Sequence, residues 1–505
     1  MVDEVGQGPG IAAPRVEGVG TLTPLRRVKA ILGGSAGNLV EWYDWFAYSA
    51  FTLYFADHFF PKGDQTAQLL QAAAIFAVGF LARPIGAWAM GVYADRIGRR
   101  AALALAVALM SLGSFAIAFI PSYATIGVWA PACLMLARVL QGLSVGGEYG
   151  ASATYMSEMA GKSRRGFWSS FQYVTLIMGQ LAATVVLLVL QHTLTKAELS
   201  VWGWRIPFAI GGVLAVVVFW VQTSLEESAS FKNVAPEHRE KIAPSHMRWV
   251  LGLLVVALAA CAAVFNMGLP LTAAMSWSVA ILVVWQLSFA APLFAKHPRE
   301  VPIVVGLTAA GSLAFYAYTT YMPKFLVNTA GFTKDAATAV SAGSLLVYMC
   351  VNPIMGHLSD RFGRRATLIT AFSLGTLFTY PIFTLLSQTH TQWAAFGLVT
   401  SLCLIHSGYS SVSAVVKSEL FPAAIRGLGV ALPYAIGNTI FGGTAEYVAL
   451  WFKKQSTDNA LYHQVFGTGS LEGVFFLYVS AVMFVALIIS VRLRDTNKTS
   501  LIEED

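Results

Sequence analysis

From Val250 to Ala295 the chain carries no charged residue, and comparable apolar runs recur along its whole length. A run of about 20 mostly apolar residues crosses bilayer hydrocarbon only as a helix, because each backbone N–H and C=O must then find its partner within the segment. Fourteen such runs are read: near 30–55, 68–92, 101–120, 127–157, 167–191, 203–223, 249–267, 273–294, 301–323, 336–357, 366–386, 392–416, 428–452 and 470–491. They are too long for the strands of a membrane barrel. Composition agrees: 12% of residues are charged and 56% hydrophobic, whereas a soluble domain carries roughly a quarter charged. With 32 Phe, 18 Tyr and 13 Trp, disorder is excluded as well.

The net charge of +7 does not indicate nucleic acid. The basic residues form short clusters between runs: Arg96/Arg99/Arg100, Lys162/Arg164/Arg165, Lys232/Arg239/Lys241/Arg248, Lys296/Arg299 and Arg361/Arg364/Arg365. All fall on one side of the alternating runs. The other side has only Lys62, Lys196, Lys324, Lys334, Lys453 and Lys454, so the positive-inside rule places both termini in the cytoplasm. Residues 1–29 lack the apolar segment of a signal peptide, and the first run is read as retained. The four cysteines lie in apolar runs without paired spacing and read as small core residues.

An internal repeat organises the runs. GVYADRIGRR at 91–100 returns as GHLSDRFGRR at 356–365, and Glu158 with Arg165-Gly166 returns as Glu419 with Arg426-Gly427. Two related halves are the construction by which transporters expose a central site to alternate faces. The expected organisation is a tail at 1–29, an N-terminal six-helix bundle at 30–223, a linker at 224–248, an inserted two-span hairpin at 249–294, a C-terminal six-helix bundle at 301–491 and a tail at 492–505. Asn266, Gly268 and Pro270 supply the hairpin's turn.

The pattern G-x3-D-R-x-G-R-R, present twice in equivalent loops, resembles the loop signature of the major facilitator superfamily. The segments at 37–61, 138–158, 202–211 and 441–450 are similar to its metabolite:proton symporters. The resemblance implies an all-α, multi-spanning major facilitator fold in a bacterial inner membrane. It also implies proton-coupled import of alpha-ketoglutarate or a related dicarboxylate by alternating access. Other organic acids (shikimate, citrate) and zwitterions (proline, betaine) remain alternatives: a cationic pocket would favour acids, a balanced one zwitterions. Twelve spans are usual there, so the hairpin is a departure.

Ionised groups inside spans cost about 2.5–3.5 kcal/mol each, which singles out the few present. Glu41 and Asp44, with Gly37 and Tyr48, form one helical stripe; Arg83, with Gly79, Gly86 and Met90, forms another; both are expected to face a central cavity. In the fourth run Arg138, Gly142, Gly146 and Gly150 align as a groove for close helix approach. The resemblance implies an Asp44–Arg138 ion pair that breaks when Asp44 takes a proton; Glu41 is the competing proton site, and Glu148 is a further charge of the fourth run. For a dicarboxylate, Arg83 is the first candidate because its planar fork matches a carboxylate. Lys417 is the second, either reaching the cavity or snorkelling to the interface. Tyr43, Tyr316, Tyr434 and Asn438 are candidates to orient an oxo group.

The repeated loops are candidate cytoplasmic latches. Gly91 and Gly356 permit close contact, while Asp95 and Asp360 can pair with Arg99 and Arg364 or meet a helix N-terminus, with Arg96, Arg100, Arg361 and Arg365 beside them. An orientation signal alone would also explain their charge. Partners are therefore a small organic anion, protons and lipid. No cofactor or metal is expected: the histidines show no HExxH spacing, no GxxxxGK[ST] loop is present, and an enzyme is not indicated.

Overall fold

The computed structural model describes residues 24–97, 99–158, 164–224, 293–422, 426–458, 472–496 and Ser500, with scattered positions between 252 and 291. Side chains are described from Gly37 onward, except those of 91–104 and part of 147–163 and a few later positions. The linker at 225–248 and most of the expected hairpin lie outside the described residues. So do the side chains of Glu148, Gly91, Asp95, Arg96, Arg99 and Arg100.

The described residues form helices throughout. In the first half these are α1 (Pro24–Phe59), α2 (Gln65–Leu81), α3 (Arg83–Ile97), α4 (Arg99–Phe119), α5 (Tyr123–Ile126), α6 (Trp129–Glu158), α7 (Arg165–Ser169), α8 (Phe171–Thr193), α9 (Lys196–Val201) and α10 (Ile206–Ser224). The second half has α11 (Glu300–Phe315), α12 (Met322–Asn328), α13 (Lys334–Phe362), α14 (Arg364–Ser387), α15 (Gln392–Glu419), α16 (Arg426–Gly437), α17 (Ala445–Asp458) and α18 (Glu472–Arg492). Wide π-helical turns at Tyr316–Thr320 and Asn438–Gly442 join α11 to α12 and α16 to α17.

Against fourteen expected spans, eight helices among the described residues are long and apolar enough to cross a bilayer. The six others fall short for different reasons. Most of the two hairpin spans lies outside the described residues, and α4 counts only as a shorter apolar helix, Leu105–Phe119. α1 and α6 carry Glu41, Asp44 and Arg138, and the α16–α17 path carries Glu446 and is broken by its π turn.

The two halves repeat one packing scheme. In the first, α1 packs on α8, α4 on α6 and α10, and α3 on α6; in the second, α11 packs on α16, α14 on α15 and α18, and α13 on α15. Between halves, α13 lies against α7 and α8, α16 against α6, and α17 against α2. Exposed Phe119, Trp129, Trp220, Leu377 and Phe378 lie on the outer surface, as lipid-facing positions require. Cys133 and Cys350 are exposed there too, which corrects the reading of all four cysteines as core; Cys403 alone among the described three is buried.

The glycine groove of α6 does what its spacing implies. A Cβ on Gly142 would sit 2.0 Å from the carbonyl oxygen of Gly79, and one on Gly146 would sit 2.0 Å from that of Arg83. Glycine is what lets α2 and α3 lie backbone-to-backbone on α6. This contact fixes Arg83 beside Arg138.

Candidate functional site

Arg83 opens α3 just after the helix break at Ala82. Pro84 has no N–H for the carbonyl of Phe80, four residues earlier. Thr439 Oγ1, from the opposite half, donates to that carbonyl at 2.9 Å. The break therefore ties the two halves together next to the Arg83 side chain. Its guanidinium is buried, lies 4.1 Å from the ring centres of Trp45 and Phe80 and 5.1 Å from that of Trp42, and none of its three nitrogens has a hydrogen-bond partner. Such ring contacts contribute about 0.5–2 kcal/mol each and do not replace an anion.

With Arg83 the structure gathers four of the five other residues expected to touch a dicarboxylate. Tyr316 and Tyr434 lie within its electrostatic reach. Asn438 Nδ2 donates to Tyr434 Oη at 3.3 Å. Tyr316 and Asn438 are the first residues of the two π turns, whose widened backbone swings them inward. Lys417 is 1% exposed, its Nζ lying 4.5 Å from the Tyr434 ring centre and donating to Ser413 Oγ at 2.8 Å. Burial decides the open alternative for Lys417: it does not snorkel. Neither Arg83 nor Lys417 has an ion pair among the described residues. Tyr43 is the exception, spending its hydroxyl on the carbonyl of Pro207 at 3.1 Å within the first half.

Glu41 and Asp44 do not face the centre as expected. Asp44 turns into the first half, toward α4, α6 and α10, and Glu41 lines a small cleft there with Val107, Met110, Ser144 and Ala215. Tyr48 instead donates to the carbonyl of Ala72 on α2 at 2.9 Å, and the contacts of α1 with the other half include Phe46 and Ser49. Nor do Asp44 and Arg138 pair directly. Gln141 stands between them, donating Nε2 to Asp44 Oδ2 and to Ser114 Oγ (3.1 Å), while its Oε1 accepts from Arg138 Nη1 at 2.6 Å. Asp44 Oδ1 has no partner and points at Gly211, where a Cβ would lie only 2.3 Å away. Arg138 is also held over the rings of Trp45 (4.0 Å) and Tyr48 (4.5 Å), so a change of charge on Asp44 would alter its balance between Gln141 and those rings.

On the face bearing Arg361, Arg364 and Arg365, called here the basic face, the second repeat loop closes on the first half. Both Asp360 oxygens accept backbone N–H groups at the start of α7, from Gly166 at 2.8 Å and Phe167 at 2.9 Å. Arg364 Nη1 donates to the same carboxylate at 2.8 Å. The crossing is tight: a Cβ on Gly166 would lie 2.4 Å from Ser359 Oγ and 2.6 Å from the carbonyl of Gly356. Arg165 meets Glu419 at 3.5 Å, and Thr496 Oγ1 donates to Glu419 at 2.6 Å. Asp360 thus does both things expected of it, pairing with its arginine and meeting a helix N-terminus. Arg365 bonds the carbonyl of Val491 at 2.5 Å, and Arg361 lies over the Phe362 ring.

A buried cation cluster between two repeated helical halves has clear relatives. Residues 30–505 match the sugar (and other) transporter family. The chain belongs to that family. It is 45% identical over 473 residues to the alpha-ketoglutarate permease of Escherichia coli (strain K12), spanning 94% of this chain and 95% of that one. It is 31% identical to the citrate-proton symporter of Klebsiella pneumoniae, over 86% of this chain and 87% of the other. Among solved structures, a proton:xylose symporter of the major facilitator superfamily aligns with a TM-score of 0.65 at 18% identity, covering 94% of this chain and 98% of its own. A peptide transporter of the POT family aligns at 0.62 and 16%, covering 93% and 97%. The likeness to both is one of fold.

The chain is therefore a multi-pass inner-membrane transporter of the major facilitator superfamily, not an enzyme. Three of the transporter's buried polar residues escape sequence reading. Gln141 is a neutral amide among several in the spans. Tyr149 stacks on Tyr434 across the halves, with ring centres 3.4 Å apart. Lys324, read as a loop residue, is 1% exposed and paired with Glu446 at 2.7 Å.

Proposed function

We propose that this transporter is a proton-coupled symporter that imports alpha-ketoglutarate or a related dicarboxylate by alternating access. One observation carries the substrate reading: Arg83 and Lys417, both buried and without a carboxylate partner among the described residues, lie near the same tyrosine, Tyr434, at the junction of the halves. Two cations suit a dianion. The ammonium of a zwitterion such as proline would also need an acceptor there, and among the described residues no carboxylate hydrogen-bonds to either cation. The two relatives named above, an alpha-ketoglutarate permease and a citrate-proton symporter, point the same way.

Asp44 takes the coupled proton, with Gln141 passing the change to Arg138 and so to Trp45, which Arg83 shares. Glu41 is the competing site. The basic face is cytoplasmic, both termini lie there, and the Asp360 contact is the latch that closes it. The chain folds as two six-helix bundles with an inserted hairpin, an even insertion that leaves the sidedness of the second bundle unchanged.

A counterflow screen of carboxylates in proteoliposomes tests the substrate. Arg83→Lys is expected to abolish binding with normal membrane insertion, since an ammonium cannot reproduce the fork; unchanged affinity would remove Arg83 from the site. Asp44→Asn is expected to keep counterflow and lose uphill uptake, and uphill uptake by that variant would refute the coupling role.

A further inference from the structure

A dianion moving inward against an inside-negative potential costs about 2.3 kcal/mol per charge per 100 mV, so two protons are needed to cancel that term. Asp44 accounts for one. The structure offers a second buried acid on the other side of the cation cluster. Glu446, 3% exposed in the first turn of α17, holds Lys324 Nζ at 2.7 Å, and both side chains are removed from solvent. Lys324 Nζ has a second partner across the halves, donating to Ser49 Oγ of α1 at 3.0 Å. Ser49 lines a narrow cleft on the face opposite the basic loops, together with Thr319, Thr320 and Pro323, the residue next to Lys324. The cleft places Lys324, through Ser49 and Pro323, one residue away from that face.

We infer that Glu446 is a second proton-binding residue of the transport cycle and that Lys324 is shared in turn between Glu446 and the entering carboxylate. The inference rests on the symport reading above. With the outer face open, a proton from the external water converts the Glu446 carboxylate to the acid. Lys324 stays an ammonium, loses the one anionic partner it has among the described residues and is freed to hold one carboxylate of the substrate. On the inner face substrate and proton leave, and the Lys324–Glu446 pair re-forms. No other group needs to change protonation. Facing Glu446, α1 brings Tyr48, the α11–α12 segment brings Tyr321 with Lys324, and α18 brings Glu472. Glu472 is already held by Lys453 at 3.2 Å and by Thr329 at 2.8 Å. The α2 helix packed alongside has no titratable side chain.

The test is the proton-to-substrate ratio, read from the reversal potential of alpha-ketoglutarate flux in proteoliposomes of the full-length protein. Glu446→Gln should lower the ratio by one while counterflow continues. Should the single variant not reach the membrane, the wild-type ratio decides: two protons per alpha-ketoglutarate is expected, and a ratio of one overturns the inference. Wild-type accumulation with an unchanged ratio in Glu446→Gln overturns this inference and leaves the symport reading standing. Wild-type protein that accumulates no organic acid overturns both.

Discussion

Asp360→Asn isolates the closure of the basic face. The Asp360–Arg364 pair lies within one half, four residues apart, and survives opening. The two bonds to the Gly166 and Phe167 amides cross between halves and exist only when that face is shut. Hydrogen bonds to a charged group contribute about 1.5–3 kcal/mol each. Asn keeps one acceptor oxygen but presents an NH2 to the second amide, so the closed state should lose about 3 kcal/mol relative to the open one. That is a shift on the order of 100-fold toward the open state. Spin labels at Arg164→Cys and Phe362→Cys, both exposed beside the contact, would report it by pulsed electron resonance, with the exposed Cys133 and Cys350 replaced by Ser. A short distance in the parent should be joined or replaced by a longer one in the variant. A distribution identical to the parent's would refute the latch.

Gln141→Leu removes the amide that both Asp44 and Arg138 use, and should destabilise the protein in detergent by about 2–4 kcal/mol while uncoupling uptake from the pH gradient; coupled uptake at the parental rate would show the two charges to act independently. Gly146→Ala drives a methyl to 2.0 Å from the Arg83 carbonyl oxygen, so α3 must move off α6. A loss of about 1–3 kcal/mol in thermal unfolding, with weakened substrate affinity through displaced Arg83, is the expected result. Parental stability and affinity in that variant would mean the groove is looser than it stands here.

The centre was legible in the sequence because a charge inside an apolar run has few uses, so Arg83, Asp44, Arg138 and Lys417 single themselves out. The tyrosines and Asn438 followed as polar neighbours on inward-reading stretches. What a single helix cannot reveal is which neighbour a shared face meets. The stripe of Glu41, Asp44 and Tyr48 is correctly periodic, yet its two acids face α4, α6 and α10 within their own half, since a bundle interior tolerates a hydrogen-bonded acid as well as a central cavity does. Gln141 was invisible for a related reason. An uncharged amide raises no alarm in hydrocarbon, and its role appears only when two charges are seen to share it. Lys324 was misplaced because the apolar run ends before it, whereas the π turn at Tyr316–Thr320 carries the helical path onward and buries it.

Net charge then links the three buried clusters. Empty, the centre holds two unpaired cations, Arg83 and Lys417, while the Asp44–Gln141–Arg138 and Lys324–Glu446 groups are each neutral overall. A dianion brings the centre to zero, and protons on Asp44 and Glu446 add one positive charge to each neighbouring group. Loaded and empty carriers therefore cross the membrane with the same net charge, and neither direction of the cycle desolvates a charge the other does not. Were only Asp44 protonated, the loaded form would cross with one positive charge fewer than the empty one. The membrane potential would then work against each inward turnover by about 2.3 kcal/mol per 100 mV. A second acid, Glu446, removes that penalty without any residue outside these clusters.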